Sequence, residues 1–111
     1  MWTTLIDNRT TWFGIRCVFR DSITGTYEER ITLWEAKDFD DAISMAESEA
    51  LEYASIFDGV SFAGLTQAYL VGDAPGHGSE VFSLIRESDL NQEDYIARFF
   101  DTGDERQRHA D

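Results

Sequence analysis

Trp12, Arg16 and Arg20 in "WFGIRCVFR", and Arg30 and Trp34 in "YEERITLWEA", fall on alternate positions of two neighbouring segments. Successive side chains of a β-strand point to opposite sides, so alternation collects these residues on one face. Arginine and tryptophan are the types most enriched at binding hot spots, and they also stack on one another as cation–π pairs. The face is thus a candidate contact surface, for an anionic ligand or for another protein. Glu28, Glu29 and Glu35 share the second segment. Paired carboxylates do acid–base work when burial raises one pKa, whereas neighbouring arginines hold a carboxylate ionised. The sequence favours arginines that answer the protein's own acids, and a protein surface over a small anion as partner.

The other residues with reactive side chains form no constellation. Cys17 alternates with Phe13, Ile15 and Phe19, so it reads as a small buried hydrophobe. It is the only cysteine, which excludes an intrachain disulfide. His77 and His109 are far apart in sequence and match no zinc-ligand spacing. Asp73, His77 and Glu80 surround "PGHG", but that loop has the wrong glycine spacing for a phosphate cradle and no following Lys-Ser/Thr. No catalytic residue, metal ligand or cofactor is assigned.

The elements that must position these side chains follow from periodicity. "WFGIRCVFR" and "YEERITLWEA" read as a hairpin joined by about six loop residues, "DSITGT". A register with Arg20 opposite Glu28 pairs Cys17 with Ile31 and Ile15 with Leu33. It also keeps Arg16 from facing Arg30, a like-charge pair that destabilises a sheet. In that register Trp12, Arg16, Arg20, Arg30 and Trp34 form one mixed face. "DFDDAISMAESEALEYASIFDG" is a helix capped by Asp38, with a stripe of Phe39, Ala42, Ile43, Ala46, Ala50, Ala54 and Phe57. Gly59 is placed to end it in a left-handed conformation. Asp40, Asp41, Glu47, Glu49 and Glu52 make its far face acidic. That is the pattern of a solvated helix side, or of an imitation phosphate row offered to a basic partner. "VSFAGLTQAYLVG" reads as a strand with a bulge or bend at Gly64. "EVFSLIRES" reads as a fourth strand, and a short helix capped by Asn91 carries Tyr95, Ile96, Phe99 and Phe100.

The expected architecture is an α+β two-layer sandwich, an antiparallel four-stranded sheet in the order β-β-α-β-β-α. At 111 residues the chain reads as a single domain with a folded core over about residues 12–100. Residues 1–10 and 102–111 are expected to be loosely ordered. The opening residues lack the features of a signal peptide, and no stretch has the length of a membrane helix. A soluble, cytoplasmic setting is expected.

Twenty-two acidic residues against nine basic ones give a formal charge of -13. Such a surface repels phosphate backbones, so direct nucleic-acid binding is disfavoured, and it either serves solubility or attracts a basic protein.

"WFGIRCVFR", "YEERITLWEA", the Ala- and Glu-rich helix, "QAYLV" and "EVFSLIRESDLNQEDYIARFFDTGDERQR" together resemble a family of small bacterial proteins. That family is known only as a domain of unknown function, number 4288 in its series. The resemblance implies a bacterial origin and a compact domain, and it carries no activity or site residues. In size and acidity such proteins are similar to the immunity proteins that neutralise bacterial toxins. The leading expectation is a non-enzymatic protein-interaction module, in its most concrete form an immunity- or antitoxin-like inhibitor of a basic partner. One alternative is a small enzyme or ligand-binding domain with a site near Arg16, Arg30, Glu35 and the His77 loop. The other is a homodimer that covers an open sheet face with a second copy.

Overall fold

The computed structural model describes residues 9–101, 103 and 105–108. The expectation of loose ends therefore falls largely outside the described residues. Five elements follow in order: β1 (Thr11–Asp21), β2 (Thr26–Ala36), α1 (Phe39–Ser55), β3 (Val60–Gly72) and α2 (Gln92–Phe99). The sheet is three-stranded and antiparallel in the order β2-β1-β3. The two flanking strands run parallel to each other with β1 between them, and α1 is the crossover that connects them, a split β-α-β unit.

β1 is central because its inner face is the most apolar in the chain. Phe13, Ile15, Cys17 and Phe19 are all buried, each large side chain contributing about 1.5–3 kcal/mol of transfer free energy. Against them lie Ala42, Ala46, Ala50 and Ala54, the stripe that the helix spacing implies. Methyl groups at these four positions let α1 lie close to the strand, while Tyr53, Trp34, Phe62 and Ala68 close the sides of the core. The Asp38 carboxylate caps α1 by accepting from Asp41 N–H at 2.8 Å, and Asn91 caps α2 by accepting from Asp94 N–H at 2.9 Å. Gly64 has a φ of 88°, and the β1–β3 register shifts around it, between the pairs Cys17↔Thr66 and Phe19↔Phe62. The bulge expected there is present.

Three expectations are corrected. The hairpin loop has four residues, Ser22 to Gly25, because the β1–β2 ladder runs on to Asp21↔Thr26. The Asp21 carboxylate accepts from the Ile23 and Thr24 amides, Gly25 N–H returns to the Asp21 carbonyl, and Gly25 takes a φ of 74°. A loop of this build sets Arg20 opposite Tyr27 rather than Glu28. A slip of one residue turns a strand over, so Glu28, Arg30, Thr32 and Trp34 face α1 while Ile31 and Leu33 face outward. Next, α1 ends at Ser55, before Phe57 and Gly59. Gly59 is left-handed as expected (φ 79°), but it serves the turn into β3, where its carbonyl accepts from Ser22 N–H at 2.9 Å.

The largest correction is the sheet itself. "EVFSLIRES" forms no ladder, so among the described residues the expected four-stranded sheet and second hairpin are absent, and the element order is β-β-α-β-α. The segment crosses the outer face of β1, where the Val81 carbonyl sits against Gly14. A Cβ built on Gly14 would lie 1.8 Å from that oxygen. Both edges of β1 are already paired, so a chain laid across it finds no free backbone donors or acceptors.

Candidate functional site

The outer face is where the crossing segment meets arginine. Ile15 and Cys17 point inward, so Arg16 between them points outward. Gln67 lies opposite it on β3 and accepts from Arg16 Nε at 3.0 Å and Nη2 at 2.6 Å. Glu29 on β2 takes Nη1 at 3.3 Å. Phe82 of the crossing segment lies over the guanidinium, 4.9 Å from its centre, and also meets the Tyr69 ring. Arg16 is thus held on every nitrogen and kept largely out of water. Beside it is a cleft of about 300 Å³ bordered by Glu29, Leu84, Arg86, Tyr95, Phe99 and Phe100. Arg86 receives no carboxylate within ion-pair distance among the described residues; it donates to Tyr95 Oη at 2.9 Å and stacks on Phe99 at 4.3 Å.

The structure divides the five residues of the expected mixed face. Trp12, Arg16 and Arg20 are on the outer side, and Arg20 stacks over Tyr27 at 4.6 Å. Arg30 and Trp34 are on the helix side. Trp34 packs against the core and donates from Nε1 to Thr32 Oγ1 at 2.7 Å. Arg30 donates to Glu49 of α1 at 2.6 Å and lies 3.9 Å from the Tyr53 ring centre. The Glu49 hydrogen bond raises the Arg30 pKa further, so the guanidinium keeps its charge. Tyr53 in turn donates to Glu28 Oε1 at 2.8 Å, and that bond raises the phenol's pKa.

The acidic helix face is divided too. With 3.6 residues per turn, Glu49 lies about half a turn round from Asp40, and it is spent on Arg30. Asp41 accepts from Lys37 N–H at 3.1 Å at the helix start. Asp40 and Glu52 remain exposed, and Glu47 is half-buried.

The alternative site has no shared location. Arg16 and Arg30 are on opposite faces, Glu35 accepts from Thr10 Oγ1 at 2.8 Å, and Glu80 near His77 is engaged by the Tyr69 hydroxyl. Among the described residues no three His, Cys, Asp or Glu side chains are grouped to hold a metal. Cys17 is buried, and desolvation followed by the Glu49 charge pushes its thiol pKa up, which suits packing rather than nucleophilic attack.

Sequence reasoning missed the chain Glu49–Arg30–Tyr53–Glu28, whose only signal was the inward parity of β2 set by the four-residue loop. It also missed Phe82 over Arg16, for which Gly14 in mid-strand was the one visible mark.

No protein-family model matches the chain, and neither a curated protein nor a solved structure is significantly similar to it. The bacterial-family resemblance rests on the quoted segments alone. No helix among the described residues is long and apolar enough to cross a membrane.

Proposed function

We propose that this α+β domain is a non-enzymatic protein-interaction module whose contact surface is the C-terminal arm, residues 80–101. The observation that carries this reading is the arm's exposure. Ile85 is 92% exposed, Leu84, Leu90, Phe99 and Phe100 also lie in water, and α2 buries no residue. Large apolar side chains left exposed along one short segment are the raw material of a contact site. The cytoplasmic setting and the bacterial-family resemblance belong to the same proposal; a lone buried thiol suits a reducing compartment.

The test is capture by the tagged full chain from lysate of the cells that encode it, beside an Ile85→Asp/Phe99→Asp variant of unchanged circular dichroism. A stoichiometric protein retained by the parent and lost by the variant supports the arm as the contact. Identical bound proteins on both would sink it.

A second reading, the immunity-like inhibitor, is favoured by charge distribution: residues 38–85 contain no lysine or arginine at all. Binding by that route weakens steeply as salt rises, whereas arm contacts through Ile85 and Phe99 hold.

A further inference from the structure

At the turn end of the hairpin, on the side opposite Arg16, a cleft of about 200 Å³ opens between the sheet and α1. It is smaller than the roughly 300–1,000 Å³ of pockets for drug-sized ligands, and its scale is that of one inserted side chain. Its apolar walls are Phe19, Tyr53, Phe57 and Val60. Three of these are rings in edge-to-face contact, Phe19 with Tyr53 at 5.0 Å and Tyr53 with Phe57 at 5.4 Å. Phe57 is 48% exposed, so an aromatic surface stands open to water there.

Thr26 and two carboxylates, Asp21 and Glu28, complete the lining. Asp21 is held by its turn and Glu28 by the helix. Asp21 Oδ1 accepts from the Ile23 and Thr24 amides, and Glu28 Oε1 accepts from Tyr53. Neither is within ion-pair distance of a base among the described residues. Two arginines act on these carboxylates only at longer range: Arg30, on the Tyr53 ring, forms its ion pair with Glu49, and Arg20 stacks on Tyr27 across the sheet. The cleft is therefore aromatic and negatively charged. An anion is repelled from it, and a purely apolar group would strip water from two carboxylates that no base contacts directly, at a cost. A cation on an alkyl stem satisfies both parts, its stem on the rings and its charge on the carboxylates.

We infer that this cleft receives an arginine or lysine side chain from a protein partner, which deepens the interaction-module reading and rests on it. The occupant's charge is complementary both to the cleft and to the acidic chain as a whole.

The test is an NMR titration of the uniformly ¹⁵N-labelled full chain at low salt with N-acetyl-arginine amide, N-acetyl-lysine amide and the neutral N-acetyl-norleucine amide. The expected result is saturable amide shifts centred on Asp21, Glu28, Tyr53 and Phe57 with the basic probes only. Glu28→Gln, which keeps the acceptor for Tyr53, and Asp21→Asn, which keeps the turn acceptor, should together weaken binding by about three- to fivefold, the scale of an exposed charge pair. Phe57→Ala should weaken it separately, with the sheet resonances unmoved. Equal shifts with norleucine, shifts spread over Asp40 and Glu52 and indifferent to these variants, or no saturable shift would each overturn the assignment. Because the probes are single residues, this result is independent of whether the arm captures a protein.

Discussion

Arg30 shows how one side chain ties a strand to the helix packed on it. It leaves β2, stacks on Tyr53 and ends on Glu49, both of α1, and its ion pair is about seven-tenths shielded from water on each side. A pair of that burial is worth about 1 kcal/mol after solvent screening. A double-mutant cycle of Arg30→Ala and Glu49→Ala in urea should return a coupling of that size. A coupling indistinguishable from zero would mean that Arg30 acts by packing alone. The Tyr53 phenol makes a pH prediction. Its folded pKa is raised, by the Glu28 hydrogen bond first and by desolvation next. The bond's contribution is therefore complete below the ordinary tyrosine value near pH 10 and is lost as pH rises through the folded value. Tyr53→Phe should remove that alkaline component of stability, read as a flatter profile of urea midpoint against pH. Asp21 runs the other way: the Thr24 amide holds its carboxyl below the usual range, so its contribution is present at neutral pH and fades as pH falls through the folded value.

At the level of the elements, glycine positions separate turn chemistry from close packing. Gly25 has a positive φ and nothing within 4 Å of the place a methyl would take, so Gly25→Ala should cost about 1–2 kcal/mol by backbone strain alone. Gly14 has ordinary backbone but a carbonyl where its methyl would go. Gly14→Ala should lift residues 80–86 off the sheet, seen as faster amide exchange there with β1–β3 protection retained. Unchanged exchange in 80–86 would place the crossing segment elsewhere. These two glycines also mark what was legible beforehand. β1, β2, β3, α1 and both N-caps could be read, because alternation, the alanine stripe and Asp38 or Asn91 are local signals. The face of β2 could not, since pairing Arg20 with Glu28 instead of Tyr27 moves Arg30 and Trp34 to the other side with equally good alternation. Nor could the fate of "EVFSLIRES", whose pattern matches a strand but whose position over β1 leaves it no ladder to join. The split of Trp12 from Trp34, and of Arg16 from Arg30, follows from that single parity.

The whole molecule is longer than its residue count implies. Its radius of gyration is 17.8 Å, against about 13 Å for a compact domain of roughly this size, and α2 packs on none of the strands, nor on α1. Small-angle scattering of the monomer should return a value near 17.8 Å. A value near the compact limit would mean a more closely packed molecule than this one. The same layout bears on how the chain comes into being. Among the described elements β1 comes first, yet its inner face is closed only by α1, and its second edge only by β3, whose last residue is Gly72. During vectorial synthesis the most enclosed strand is therefore the first to emerge, and its alternating Phe, Ile and Cys side chains wait longest for cover. Substitutions that delay α1 or β3, such as losses from the alanine stripe, should cost soluble yield in the cell well beyond their effect on the finished fold.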